Sequence, residues 1–440
     1  MTSHESATEA AKAPARDGYA AYVLAILTII YTFNFVDRQI VAILSPAIKE
    51  DLGLSDSALG LLKGFAFALF YTVLGMPIAW LADRRNRIGI ISISLALWSA
   101  FTALSGLAAN FTQLALARVG VGIGEAGCSP PAHSLISDYF PKEKRSGALG
   151  VYSLGIPFGQ MLAFLAGGWV LENLGWRNAF FVVGVPGVAL AIIMRLTIRE
   201  PIRGQMDMGA ASARPVAFMD GLRRLMTIPT YWGVIAGVTL ASFTGYGVAF
   251  WVVDFFRRAY ALSYTEITLP LGILNGVVYG VGTYLGGHLA DRLGAKDKGA
   301  YAWLPALGMV ATIPALALLL WAPTPFWSFF WSAPFLVGLG VYLGPSFSLV
   351  QTLAPVRLRA FATAFFFLIL NIIGLGFAPF WVGVASDFFA ASHGEAIGLK
   401  MALTTLAAPA VLSVIAFLWT ARKLPADWEE AAGEMREAGQ

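Results

Sequence analysis

The sequence predicts an all-α polytopic membrane protein of twelve transmembrane helices in two six-helix bundles. Three observations carry that expectation. Of its 440 residues, 58% are hydrophobic and 13% charged, where a soluble chain carries about 25% charged residues, so most of it cannot face water. Apolar stretches of about 20 residues, long enough to cross a bilayer as helices, recur twelve times. A short charged motif also recurs at matching places in the two halves of the chain.

Residues 1–18 are small, polar and mixed in charge, so they are expected to form a cytoplasmic tail rather than a cleaved signal peptide. The N-terminal bundle occupies 19–196, with spans near 19–45, 57–82, 89–108, 111–138, 146–171 and 176–196. A polar linker, 197–229, contains DGLRRLM (Asp220 to Met226), which reads as a short amphipathic helix on the membrane surface. The C-terminal bundle occupies 230–422, with spans near 230–256, 265–290, 299–321, 326–353, 360–386 and 396–420, and residues 423–440 form a second cytoplasmic tail.

Lysine and arginine set the orientation. With both termini cytoplasmic, 22 of the 30 basic residues lie on that side, and the outer side keeps Lys49, Arg177, Arg257, Arg258 and Lys400. The expected location is the inner membrane, and the net charge of +4 needs no nucleic acid to explain it. A single cysteine, Cys128, excludes a disulfide framework within the chain and leaves too little sulfur for a thiolate cluster. His4, His133, His288 and His393 show no ligand spacing, so no metal is expected. No Walker-type loop is present, which argues against an ATP-driven pump.

The repeat is specific. AWLADRRNR (Ala79 to Arg87) follows the second span and GHLADRLGAK (Gly287 to Lys296) follows the eighth. Pro141 and Arg145 before the fifth span match Pro355 and Arg359 before the eleventh. Two parallel six-span repeats are the ground plan of rocking secondary transporters, which bind substrate near the midplane between the halves.

The 6 + 6 layout and the LADR loops resemble the major facilitator superfamily over residues 19–422. Its loop motif reads G-x-L-a-D-R-x-G-R-[KR]. The second copy keeps Gly287, Asp291, Arg292 and Gly294; the first keeps Asp83, Arg84 and Arg87 but has Ala79 and Asn86 in place of glycines. The resemblance implies a cytoplasmic gate built from Asp83, Arg84, Arg87, Asp291, Arg292, Arg145 and Arg359. Within the superfamily, NFVDRQIVA (Asn34 to Ala42), RVGVGIGEAGCSPPAHSLISDYFPKEKRS (Arg118 to Ser146), GIPFG (Gly155 to Gly159) and FTGYGVAFW (Phe243 to Trp251) are similar to the Spinster family. That implies a cargo of lysophospholipid or sphingolipid type. The Asp-Arg pair and the Gly-Glu-Ala segment also resemble organic-anion symporters of the same superfamily.

Charges inside the spans mark a pathway, because an ionisable residue at the bilayer centre costs about 2.5–3.5 kcal/mol on insertion scales. At 1.5 Å per residue, Asp37 and Arg118 lie about 7 Å and 10 Å outward of centre, and Glu125 lies near it. Arg118 and Glu125, seven residues apart, project from one face of their helix. This predicts that Asp37 pairs with Arg118 and that Arg38 is left over. Asp37 and Glu125 would then carry a proton, Arg118 would set their affinity, and Arg38 or Arg118 would take an anionic headgroup. The competing reading is a static ion pair between the first and fourth helices. Lys63 is expected to snorkel to the outer interface, and Asp254 with Arg257 to form a surface pair.

The second half is nearly free of charge at mid-depth, with Val341 near the place that Glu125 holds in the first. Its aromatic wall suits a ligand with an ionic head and an alkyl tail, and the expected substrate contacts are Asn34, Arg38, Arg118, Tyr246, Phe250, Trp251 and Asn371. GIGEAG (Gly122 to Gly127) fits a dinucleotide-binding pattern, but that motif needs a strand before it, and helix packing through small residues accounts for it better. The expected function is proton-coupled transport of amphiphilic lipids by alternating access, in a monomer that takes its energy from the proton gradient and needs no cofactor. Transport of an organic anion or drug is the alternative, and a lipid-modifying enzyme a remote one, since no nucleophile with its base is present.

Overall fold

The computed structural model describes residues 17–82, 84–203, 206, 222–223, 225–354 and 358–437. The first tail through Arg16, most of the linker, and the loop residues Asp83 and Pro355 lie outside the described residues; of the expected surface helix, Leu222, Arg223, Leu225 and Met226 are described, and all four are helical. The first half contains α1 (Asp17–Leu52), α2 (Asp56–Ala82) and α3 (Arg87–Ser105). Next comes α4, made of Phe111–Glu125 and Ser129–Tyr139. Its first segment is capped by Asn110, whose side chain accepts from the amide of Gln113. The second opens on Pro130 and Pro131, which fit a first helical turn but have no N–H with which to continue one. That is why the fourth crossing is broken just after Glu125.

Helix α5 (142–174) and α6 (176–197) meet at Gly175, whose φ of 78° and ψ of 166° lie where side chains are strained and glycine is not. The second half contains α7 (Pro229–Tyr260), α8 (Tyr264–Gly294), α9 (Ala300–Leu320), α10 (Pro325–Leu353), α11 (Phe361–His393) and α12 (Glu395–Glu429). Ten stretches are individually long and apolar enough to cross a membrane. The broken α4 escapes that criterion and α5 with α6 count as one in it, so the described residues make twelve crossings. An even number leaves both termini at one end of the bundle, the terminal end, opposite a distal end.

Outward faces carry exposed Ile93, Leu116, Trp169 and Phe388, a surface suited to hydrocarbon. Inward, close backbone approach organises the first half. A Cβ on Gly122 would lie 2.6 Å from the carbonyl oxygen of Phe67, and one on Gly124 2.6 Å from the amide nitrogen of Trp98. The glycines of GIGEAG thus let α4 touch the backbones of α2 and α3, and the segment is helical up to Glu125, as the packing reading requires.

Among the described residues, the ion pairs and side-chain hydrogen bonds that join the halves gather at the distal end. Lys63 of α2 donates to Asp254 of α7 at 2.6 Å, both side chains 0% exposed. The same Asp254 oxygen accepts from Ser45 of α1 at 2.7 Å. Arg258 grips both carboxylate oxygens of Asp56 at 2.6 Å, and Asp387 of α11 accepts from the amides of Asp56 and Ser57, capping α2 from the other half. Beneath these charges the helices touch backbone to backbone. Wide π-helical turns at Leu61–Phe65 and Leu370–Phe377 face each other, and a Cβ on Gly64 would collide with the carbonyl oxygen of Gly376.

Two expectations are corrected here. Lys63 does not snorkel: its ammonium is fully buried 3.5 Å from the centre of the Trp251 ring, because the other half supplies a carboxylate and an aromatic face at its own depth. Asp254 and Arg257 are not a surface pair. Asp254 is fully buried against Lys63, and Arg257 donates to the carbonyl of Leu262.

Candidate functional site

At mid-depth α1 turns Asn34, Asp37 and Arg38 inward, and three helices meet them. Spacings of three and four residues put these side chains on one broad face of α1. The guanidinium Nε of Arg38 donates to Glu125 Oε2 at 2.7 Å. Aromatic rings box it in: its central carbon lies 4.6 Å from the ring centre of Tyr71, 5.1 Å from Phe35 and 5.3 Å from Phe67. Such cation–π contacts favour a guanidinium where water is scarce.

Asp37 makes a different bond. Thr102 of α3 donates to its Oδ1 at 2.5 Å. Arg118, 1% exposed, has buried Nε and Nη1 groups without a hydrogen-bond partner, and Glu125 Oε1 is likewise unbonded. Both polar atoms of the Asn34 amide are also buried and unbonded. The expected Asp37–Arg118 pair is thus not hydrogen-bonded, although the two lie within electrostatic reach of each other; the bonded pair is Arg38–Glu125, and Arg118 keeps buried, unused donors. Equal depth brings residues to one level, but rotation about the helix axis decides which partner each meets. Asp37 is turned to α3 and Arg38 to α4.

Exposure separates the four charged groups. The Arg38 side chain is 14% exposed and that of Glu125 0%, while Asp37 and Arg118 are each 1% exposed as whole residues. Arg38 is the most exposed of the four. Tyr246 of α7, in the other half, lies within electrostatic reach of Arg38 and Tyr71. Tyr279 and Tyr342 stand near Tyr246, and Tyr342 shares a 2.9 Å hydrogen bond with Ser242.

The expected contacts of the second half divide. Tyr246 and Asn371 are partly buried, and Phe250 packs against Tyr246 with ring centres 6.2 Å apart. Trp251 stands apart from these three. It is fully buried, donates to the carbonyl of Pro379 at 2.9 Å and carries Lys63 on its ring, so it belongs to the distal seal. Val341 packs with Ala290 and Leu304 and has no counterpart of Glu125's chemistry. Two apolar grooves, about 450 and 490 Å³, lie near the distal ends of α8, α9 and α10 and are lined by no ionisable side chain. The charged centre is the better site because binding and energy coupling need polar groups that the grooves lack.

At the terminal end, the described bonds of the expected gate residues stay within one half. Arg87 is 1% exposed and binds Asp138 at 2.5 Å and Glu200 at 2.6 Å. Arg84 stacks on Trp80, Arg145 donates to the carbonyl of Ser137, and Asp291 accepts from Tyr301. Arg292 is exposed. Asp83 and the side chain of Arg359 lie outside the described residues.

Sequence reasoning passed over Thr102, Tyr71 and the Lys63–Asp254 pair. For the pair a signal was available, in two opposite charges near the same end of two apolar spans. For Thr102 and Tyr71 there was none, since a lone hydroxyl in a span does not declare its neighbour.

Comparison with known proteins agrees with this architecture. Residues 27–379 match the family described as Major Facilitator Superfamily. An "MFS-type efflux pump" of Mycolicibacterium smegmatis is 32% identical over 399 residues, 90% of this chain and 92% of that protein. Human "Protein spinster homolog 1" is 28% identical over 452 residues, 96% of this chain and 85% of the relative. A crystal structure described as a bacterial homologue of the human lysosomal transporter Spinster, inward-facing and unoccupied, superposes with a TM-score of 0.87. It is 32% identical and covers 94% of this chain and 99% of its own.

Proposed function

Since the chain belongs to the major facilitator superfamily, as a multi-pass secondary transporter of the Spinster kind, we propose that it moves amphiphilic lipids with an ionic head, coupled to protons, by alternating access. The observation that carries this reading is Arg38: the one charged group of the central four with a part-exposed side chain, held by a buried carboxylate. An anionic head arriving at Arg38 competes with Glu125 for the guanidinium. A carboxylate that loses its cation in a weakly polar interior gains affinity for a proton, so cargo binding and proton uptake at Glu125 favour each other. Arg118, with unused donors between Asp37 and Glu125, tunes both acids. The phenolic group of Tyr246, backed by the buried ring of Phe250, supplies with Asn371 the facing wall for the rest of the cargo.

With both termini in the cytoplasm, the distal seal faces outward and the centre communicates with the cytoplasm. In the opposite state the gate residues Asp83, Arg84, Arg87, Arg145, Asp291, Arg292 and Arg359 close the terminal end while the distal pairs part. The protein works in the inner membrane, as a monomer, with the proton gradient as its energy source.

The test is pH-gradient-driven uptake of lysophospholipid into proteoliposomes. Glu125→Gln is expected to abolish gradient-driven accumulation, Asp37→Asn to reduce it severalfold, and Arg38→Ala to weaken cargo binding about ten- to a hundredfold, the loss of one hydrogen bond to a charged group. Undiminished gradient-driven transport by both amide variants would sink the coupling role. Transport of a small organic anion or drug with no response to lysophospholipid would transfer the same mechanism to a different cargo.

A further inference from the structure

We infer that Tyr301, held in place by the extension of α12 past its span, is a positioning residue for the gate carboxylate Asp291: it parks that carboxylate on its own half and so favours the terminal-open state. This inference rests on the alternating-access reading, in which Asp291 helps to close the terminal end. The helix that contains α12 runs on to Glu437, and its extension is tied to the second half at three points. Leu424 is fully buried. Asp427 Oδ2 accepts from the hydroxyl of Thr230 at 2.6 Å and from its amide at 3.2 Å, which caps the first turn of α7. Trp428 stacks on Tyr301, with ring centres 5.5 Å apart and planes at 20°, and the ammonium of Lys298 lies 5.2 Å from the centre of the Trp428 ring. The Tyr301 hydroxyl donates to Asp291 Oδ1 at 3.0 Å. Gly294 makes room for this arrangement, since a Cβ there would collide with the Tyr301 ring.

The seam between the halves shows what Asp291 is parked away from. Along it α8 and α5 run antiparallel: Thr265 donates to Glu172, Thr268 meets Gly168, Gly272 meets Leu165 and Gly276 meets Met161. Asp291 lies fifteen residues beyond Gly276, so the same register sets it opposite position 146, fifteen before Met161. Fifteen residues are a little over four turns, which returns Asp291 to within about 60° of the side of α8 that meets α5. Position 146 belongs to the first two turns of α5, a helix that starts at Lys142 behind Pro141, whose ring accepts no hydrogen bond from the first turn. A carboxylate is favoured at such a helix end. Here the carboxylate is bonded within its own half instead, so closing the terminal end trades the Tyr301 bond for a contact with α5. A free phenol could swing with the carboxylate, but a ring clamped between Gly294 and Trp428 cannot follow it.

The experiment uses full-length protein with Cys128→Ala in liposomes, spin-labelled at Gly150→Cys on α5 and Lys296→Cys after α8. A Cβ at Gly150 has no neighbour within 4 Å, and Lys296 is exposed. Pulsed electron resonance then reads the ratio of short, terminal-closed distances to long, terminal-open ones. Tyr301→Phe keeps the stacked ring and removes the hydroxyl, and is expected to raise that ratio about two- to tenfold, the loss of one ordinary hydrogen bond. Trp428→Ala should raise it in the same direction, whereas Trp428→Phe, which keeps a stacking ring, should leave it near the unaltered value. Adding Asp291→Ala to Tyr301→Phe should cancel the rise, because the freed carboxylate is what draws the halves together. A merely structural role for the ring would leave that double variant as shifted as the single one. An unchanged ratio for Tyr301→Phe, or a rise that survives the loss of Asp291, would overturn the proposal. A single distance in the unaltered protein, with and without lysophospholipid under a pH gradient, would instead remove the alternating-access reading beneath it. Tyr301→Phe retains the ring beside Gly294, so it decides the question even where Trp428→Ala frays the end of α12.

Discussion

Lys63 and Asp254 illustrate what a buried charge demands of its neighbours. Removing one partner of such a pair leaves the other uncompensated in a dry interior, at a cost of about 3–5 kcal/mol, whereas replacing both by apolar groups of similar volume is often neutral. Lys63→Met and Asp254→Asn are therefore each expected to lower the melting temperature of the detergent-solubilised protein by several degrees. Lys63→Met combined with Asp254→Leu should recover most of the loss. If the double variant is as unstable as the sum of the singles, the two residues act separately and the pair has no joint role. The central site was only partly legible at this scale. That Asp37, Arg38, Arg118 and Glu125 belong together followed from their depth in apolar spans. Who bonds to whom did not, because rise along a helix is one coordinate and rotation about its axis is another. Thr102 claims Asp37 from a helix that depth alone does not single out.

Helices meet at the distal end through backbone rather than side chain. Gly64 on the π-helical turn of α2 faces the carbonyl of Gly376 on the corresponding turn of α11, with no room for a Cβ. A backbone atom cannot rotate aside, so Gly64→Leu must push the halves apart at this point. The expected outcome is a shift towards the distal-open state, read as a higher labelling rate of distal positions with retained binding of lysophospholipid. An unchanged labelling rate would mean that the contact is not part of the seal. The break in α4 was foreshadowed by Pro130 and Pro131 and that between α5 and α6 by Gly175. The π-turns were not, since a five-residue widening leaves no mark in an apolar run.

Across the whole molecule, the apolar runs and the LADR repeat were enough for twelve crossings in two halves, because hydrophobic length and duplicated loops are one-dimensional properties. The state of the molecule was not legible, since it depends on contacts between residues some two hundred positions apart, such as Ser45 with Asp254. Those contacts can be tested together. With the lone native thiol removed by Cys128→Ala, Ser45→Cys is expected to resist membrane-impermeant maleimide in resting vesicles. It should become reactive when a saturating pH gradient and cargo drive turnover. Labelling at full rate at rest would mean that the distal end stands open in the membrane.

Among the described residues every mid-depth charge lies in one half, and this has a bearing on how such a protein can diversify. Under the proposed function the first half handles the ionic part of exchange and the second presents a wall of tyrosine and phenylalanine, so their inheritances are separable. A lineage could remodel the aromatic wall to accept longer or bulkier tails without disturbing the central acids and bases. Recombinant chimeras joining the first half of this chain to the second half of a relative should accordingly keep their energy source while changing their cargo.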